Sequence, residues 1–370
     1  MSKNSNLHNA KRAKQDEFYT QWIDIEREMN AYLEYDPDVF RGKTVLLPCD
    51  DPGWSNFTKY FAERFEYLGI KKLISTSYAP KANLEGAFYE AEDAVIQAAH
   101  YDPALDYERG KIFVLDGTDL NSDGRVDKSD FRWEYLTGDG DFRSDEVTAL
   151  RDEADIVVTN PPFSLFREFM AWLNDGNVLF SVIGSMNAIT YKEIFPLIKD
   201  NKLWLGRGKD KGGNSMWFAV PDNYPANKHE RVTDNDVRII PVTSKWFTNM
   251  EHGCRHEPLR LMSMKENQKY NKRIIKNPNS YKKYDNYDAI EVPVTAGIPG
   301  DYAGVMGVPI SFLDKYCPEQ FEIIGCSDNG AVDEIIKLSH FKRHNEPYVE
   351  SKKVYKRIFI RHINPATQGV

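Results

Sequence analysis

Four consecutive residues, Asn160, Pro161, Pro162 and Phe163, form the arrangement in this chain whose chemistry can be written from residue types alone. The Asn160 side-chain oxygen and the Pro161 carbonyl can each accept one hydrogen of a planar exocyclic amine such as adenine N6. That would hold the nitrogen with its lone pair aimed at a methyl donor. No strong base is needed, because the nitrogen becomes acidic only after alkylation. Phe163 can stack on the face of a base, a contact worth roughly 1 to 3 kcal/mol. That is comparable with the few kcal/mol needed to draw a base out of a duplex. A plain proline turn behind a core strand is the alternative for the same four residues.

Such a loop needs a rigid strand behind it. Asp155 to Val158 leads into a β-branched run without polar alternation, which suits a strand buried on both faces of a parallel sheet. The paired prolines remove two amide donors and fix φ, so the strand ends there and the chain leaves at the carboxyl edge of the sheet. Open α/β sheets bind their ligands at that edge. Lys43–Leu47, Lys71–Tyr78, Lys111–Leu115 and Asn177–Ile183 read as further strands. Thr58–Gly69, Glu146–Glu153, Leu165–Leu173 and Thr190–Lys199 read as helices, with Ser55 as an N-cap and Gly176 as a stop. Lys202–Leu205 is a short strand, and Ser215–Pro221 is expected to be the last one, near the pocket for the base. The alternation predicts an α/β, Rossmann-like sheet over 41–222. An arm and a helix over 1–40 precede it. After 222 a region richer in Pro, Asn, Tyr, Lys and His runs to 370.

The string D-I-V-V-T-N-P-P-F-S-L-F-R-E, with N-A-I-T-Y-K-E-I-F after it, is similar to the EcoRI-type adenine-specific DNA methyltransferase family. N-P-P-F itself resembles the catalytic motif of amino-group methyltransferases that use S-adenosylmethionine. The resemblance covers most of the chain. It implies a class I methyltransferase sheet with a carboxyl-terminal DNA-recognition region, S-adenosylmethionine as cofactor, adenine N6 in double-stranded DNA as target, and catalytic roles for Asn160, Pro161, Pro162 and Phe163. Phe18-Tyr19-Thr20 resembles an F-Y-T element that lies near the cofactor, which nominates Tyr19. The turn after the first strand, Cys49-Asp50-Asp51-Pro52-Gly53, lacks the usual glycine-rich fingerprint but matches the C-D-D-P of the family. It nominates Cys49, Asp50 and Asp51, either acid being able to meet the cationic amino group of the cofactor. A capped turn with solvated acids is the plainer reading. Asp141-Phe142 resembles an element whose acid meets the cofactor's adenine and whose aromatic packs on the ring. The second strand departs from the general pattern, ending in Thr76, Ser77 and Tyr78 where an acid usually holds the ribose.

Other features bear on partners. Lys265–Lys283 combines basic residues with Tyr270 and Tyr281, as a segment that reads DNA would, and nominates Lys269, Lys272, Arg273 and Lys276. Arg207, in the glycine-rich 206–214, suits a phosphate contact. Asp119 to Asp130 fits the calcium-loop template, with Asp119, Asn121, Asp123 and Asp130 as candidate Ca2+ ligands and Gly124 at the sharp turn. A net charge of −8 over 370 residues argues against a generally basic nucleic-acid binder but leaves room for a local basic face. No apolar run is long enough to span a bilayer and the polar start M-S-K-N-S-N lacks a signal-peptide h-region, so a cytoplasmic location is expected; a monomer is the expected state. A cognate restriction endonuclease acting on the same site is the expected companion. Two alternatives stay open. One is methylation of cytosine N4, RNA or a protein glutamine; the other is a non-catalytic DNA-binding or calcium-regulated module.

Overall fold

The computed structural model describes residues 19–48, 50, 55–79, 102–207, 216–220, 228–233, 237–327, 338 and 345–365. The chain divides into two compact units, Met1–Met186 with Gly206–Met250, and Asn187–Leu205 with Glu251–Val370. Among the described residues no helix is long and apolar enough to cross a membrane.

The first unit begins with β1 (Tyr19–Thr20), α1 (Trp22–Tyr35), β2 (Thr44–Leu47), α2 (Asn56–Glu63) and β3 (Lys72–Ser77). It continues through β4 (Lys111–Leu115), β5 (Arg132–Tyr135), α3 (Asp145–Glu153), β6 (Ile156–Thr159), α4 (Phe166–Gly176) and β7 (Leu179–Ser185). Then come β8 (Met216–Ala219), β9 (Arg238–Val242) and β10 (Ser244–Thr248). The strands that this unit gives to the eight-stranded main sheet run β5-β4-β3-β2-β6-β7-β10. Strands β3, β2, β6 and β7 are parallel, while β4, β5 and β10 run antiparallel to their neighbours. Every residue of β2 and of β6 is buried, as expected for central strands covered on both faces.

Local chemistry sets the element ends. Ser55 caps α2 by accepting from the Phe57 amide, and Ser144 caps α3 by accepting from the Val147 amide. The left-handed residue that ends α4 is Asn177, at φ 47°, and not Gly176. Gly176 is needed for space, since a Cβ there would meet the Arg151 side chain.

Three expectations need correction. Ser215–Pro221 supplies β8, but this strand lies between β1 and β9 in a separate antiparallel sheet. Beyond β7 the main sheet continues instead into β10, paired with β7 from Ser244↔Ser185 to Thr248↔Ser181. The change of composition near 222 therefore marks a connection within the unit, which extends to Met250. Residues 19–40 are also integral. Ile25, Met29 and Tyr32 of α1 join the core of β2 and α2, and the Tyr32 hydroxyl lies 2.9 Å from Ser181 Oγ on β7.

In the second unit, α5 (Met264–Tyr270) and α6 (Lys272–Lys276) precede a sheet of β11 (Ile290–Glu291), β12 (Met306–Pro309), β13 (Phe321–Cys326) and β14 (Arg357–His362), in the order β11-β12-β14-β13. The basic terminal run supplies β14, an interior strand paired with β12 on one side and β13 on the other, and its Ile358, Phe359 and Ile360 are all buried. Arg357 at its start is buried and forks onto Glu291, at 2.6 and 3.0 Å, with the Tyr284 hydroxyl also on that carboxylate. This bidentate geometry makes the burial of a charge tolerable.

Candidate active site

Strand β6 is tied to β2 at both ends. At its entry, Asp155 Oδ2 accepts from the Thr44 amide at 2.8 Å. At its exit, Thr159 Oγ1 lies 2.7 Å from both the Pro48 carbonyl oxygen and Asp50 Oδ2. The residue after Thr159 is Asn160, so the start of the loop is fixed by a buried side-chain contact as well as by the sheet ladder.

From there the chain turns as the prolines require. Pro161 is buried, and Pro162 precedes a 3-10 turn over Phe163–Leu165, closed by the Leu165 amide on the Pro162 carbonyl at 3.0 Å. Phe163 is half-buried and rests on the edge of the core. Asn160 is half-buried, with its side-chain oxygen shielded from solvent. The loop is backed by α4, whose Phe166 packs flat against β7 where Gly184 leaves room. A Cβ at 184 would lie 2.4 Å from the Phe166 ring.

The turn after β2 meets the same loop. Asp50 is 5% exposed and surrounded by hydroxyls. Ser55 Oγ donates to Asp50 Oδ1 at 2.7 Å, Thr159 faces Oδ2, and Thr58 Oγ1 donates to the Asp50 carbonyl, which Ser75 also reaches. Burial pushes the Asp50 carboxyl up to about 7, against the opposing pull of the Ser55 and Thr159 hydrogen bonds. Sequence reasoning nominated Asp50 but missed Thr58, Ser75 and Thr159, the hydroxyls that enclose it along with Ser55. The signal available was the small polar residue at the end of each neighbouring strand. Both Asp50 oxygens are engaged within the protein. Cys49 and Asp51 lie outside the described residues.

At the carboxyl end of β3 the backbone comes close to two glycines. A Cβ on Gly110 would lie 2.6 Å from the Ser77 carbonyl oxygen, and one on Gly140 would lie 2.4 Å from it. Ala79 N donates to the Asp139 carbonyl at 2.8 Å, pressing the G-D-G-D turn onto that strand end. Asp141 is forked by Arg143 at 2.9 and 2.6 Å, and Arg143 also reaches Glu168 at 2.8 Å. The Phe142 ring is 3% exposed and packs edge-on against Phe169 and Trp172. The turn is therefore beside the carboxyl end of β3, but the ring belongs to the core and presents no open face for stacking. Tyr19 stands in β1, whose Thr20 carbonyl accepts from Asn56 in the first turn of α2 at 2.8 Å. The F-Y-T element thus adjoins the helix that follows the Asp50 turn.

The acidic loop 119–130 has a different use from the one its spacing predicts. Asp119 accepts from the Asp123 and Gly124 amides, Asn121 from the Asp123 amide, and Asp123 from the Arg125 amide. Asp130 is buried and accepts from the Leu120 and Asp127 amides at 2.7 and 3.0 Å. Among the described residues no group of His, Cys, Asp and Glu is arranged to hold a metal ion. The calcium expectation finds no support here: these oxygens accept from the loop's own backbone amides.

Several surface Lys and Arg are paired, as in Lys72–Glu153, Arg132–Asp116 and Arg361–Glu322. Arg207, expected on a phosphate, pairs with Glu34 at 3.0 Å. Lys282 and Lys283 pair with Glu350 and Asp288. On α5 and α6, Lys265, Lys269, Lys272, Arg273 and Lys276 are exposed, and among the described residues none is in an ion pair. Tyr270 stands among them 62% exposed, with Lys269 Nζ 5.0 Å from its ring centroid.

A strand-end N-P-P-F loop beside a buried acidic turn is the setting in which likeness to known proteins becomes informative. The family model for the adenine-specific methyltransferase EcoRI matches residues 6–363. The chain belongs to that family. Type II methyltransferase M.EcoRI of Escherichia coli is 45% identical over 323 residues, 87% of this chain and 89% of its own length. Type II methyltransferase M.MpnI of Mycoplasma pneumoniae is 33% identical over 364 residues, 96% of this chain and 97% of its own. No solved structure matches. The mostly parallel main sheet is that of a class I methyltransferase, and family membership makes the chain an adenine-specific methyltransferase.

Proposed function

We propose that this chain methylates N6 of an adenine in double-stranded DNA, with the base drawn from the stack and held by the 160–163 loop. The observation that carries this reading is the position of that loop, leaving a central parallel strand beside the Asp50 turn. S-adenosylmethionine, when bound, supplies an electrophilic methyl group. The residues present suit it: Asp50 offers an acid beside the catalytic loop for a cationic amino group, and at the end of β3 the Ser77 carbonyl is approached so closely by Gly110 and Gly140 that neither glycine could carry a Cβ. The Asn160 oxygen and the Pro161 carbonyl accept the two N6 hydrogens, which aims the nitrogen lone pair. Because the Asn χ2 torsion is soft, the oxygen can turn outward toward an incoming amine. Phe163 flanks the base, and its half-buried ring is already anchored, so little side-chain freedom is lost on stacking.

The cations of α5 and α6, Lys269, Lys272, Arg273 and Lys276 foremost, contact phosphates. Having no carboxylate to leave, they bind DNA without first breaking an ion pair. Arg207 joins them by exchanging Glu34 for a phosphate, an inexpensive step because exposed ion pairs contribute only about 0 to 1 kcal/mol. In the cell the chain protects sites from a cognate restriction endonuclease. Transfer of a tritiated methyl group to duplex DNA, to RNA and to a glutamine peptide tests the assignment. Label confined to adenine N6 of DNA is expected, while label on cytosine, RNA or peptide would replace it.

A further inference from the structure

Thr159 has one hydroxyl proton and two oxygen neighbours at equal range, the Pro48 carbonyl and Asp50 Oδ2, each at 2.7 Å. If Asp50 were ionised, both would be acceptors competing for that proton, and one close O···O contact would be left without a hydrogen. If Asp50 carries a proton on Oδ2, every group is satisfied. The acid donates to Thr159 Oγ1, Thr159 donates to Pro48, and Ser55 donates to Oδ1 while accepting from the Phe57 amide. Burial favours the same state. The groups facing Asp50 are Ser55 from the start of α2, Thr159 from β6, and the Pro48 carbonyl from the end of β2. Among the described residues no ionised side chain contributes to its titration.

We propose that Asp50 is a positioning residue. It holds Thr159, and through it Asn160, as a neutral acid in the cofactor-free chain, and it gives up its proton when the cationic methyl donor binds. This rests on the reading of the chain as an S-adenosylmethionine-dependent enzyme. On binding, the Asp50 O–H bond breaks and the proton passes to solvent. The Thr159 hydroxyl then swings from Pro48 to the new carboxylate, whose negative charge is balanced by the cationic ligand. Binding of the donor thereby rearranges the hydrogen bond that anchors the first residue of the catalytic loop.

Calorimetric titration of S-adenosylmethionine into the full chain at pH 6, in two buffers of different ionisation enthalpy, counts the protons released. Close to one per cofactor is expected for the wild type and close to none for Asp50→Asn. Wild-type affinity should tighten roughly tenfold between pH 6 and pH 8 relative to that variant. The comparison also cancels the titration of the ligand's own amino group, near 7.7 to 8.0 in model compounds. Equal release from both proteins at pH 6 would overturn the proposal. Thr159→Val should still release the proton while losing roughly tenfold or more in kcat, with affinity for S-adenosylmethionine held within about twofold. Unchanged kcat would sever the link to Asn160. Difference infrared spectra of the wild type need no variant: a neutral carboxyl band lost on cofactor addition at pH 6 is expected, and no change in that region is contrary. Should the chain take up no S-adenosylmethionine, the functional reading falls. The infrared titration of the free chain then decides Asp50 alone, a carboxyl ionising near neutral pH supporting it and none overturning it.

Discussion

Two acidic turns in this chain look equivalent as strings of letters and differ in almost every physical respect. In the turn after β2, Asp50 is buried among hydroxyls, and burial raises its carboxyl to about 7. In the loop 119–130, the backbone amide and hydroxyl of Ser129 hold Asp127 below the ordinary carboxylate range, and the Asp119, Asp123 and Asp130 oxygens accept from backbone amides. An amide can only donate, so it favours a charged carboxylate. A hydroxyl can donate or accept, so it tolerates either state. The partners of an acid, more than its spacing, decide whether it is a structural brace or a group poised to change charge.

The comparison can be broken first through pH. Asp50 has a folded value near 7 against about 3.9 unfolded, so the stability it contributes is complete below about pH 4 and is lost as pH rises through 7. About three units correspond to a loss on the order of 4 kcal/mol. Urea denaturation of the cofactor-free chain should show that decline between pH 4 and 8 relative to Asp50→Asn, in which it is absent. Parallel curves would place Asp50 with the ordinary acids.

A smaller effect is expected on DNA. Replacing Lys269, Lys272, Arg273 and Lys276 with Gln should weaken duplex binding about ten- to a hundredfold and lower the salt slope by about 0.9 for each cation that contacts a phosphate. Replacing Lys282 and Lys283, which are already paired, should change neither much, and equal effects from both sets would remove the distinction.

The smallest effects belong to the second acidic loop. Asp130→Ala strands buried amides and should cost about 1 to 3 kcal/mol of stability in thermal or urea melts. Asp123→Ala, at an exposed turn, should stay within about 0.5 kcal/mol. A calcium chelator should alter neither melting nor methylation. A clear drop on chelation would restore the cation.

The strand-loop architecture was legible because β6 is an unbroken apolar run ended by two prolines, which is as strong a local instruction as twenty residue types provide. The first helix cap was legible for the same reason, since Ser55 acts through its immediate neighbours. What stayed hidden depends on residues far apart in sequence. β10, S-K-W-F-T, looks like a fragment of the carboxyl-terminal half until it pairs with β7. Phe142 resembles a cofactor-stacking aromatic until Phe169 and Trp172 claim its ring. Thr159 looks like the last letter of a strand, and only the fold brings it to Asp50, 109 positions away. The calcium template failed because it encodes spacing and not the backbone amides that compete for the same oxygens.

The central claim is that Asn160 presents its oxygen to an adenine amine while the rest of the chain holds the reactants. Direct counting of N6-methyladenine in DNA incubated with S-adenosylmethionine and either wild-type protein or Asn160→Ala tests it. The account predicts methylation by the wild type and a loss on the order of a hundredfold or more in the variant, with cofactor affinity within about threefold. Undiminished N6-methyladenine from the variant would contradict it.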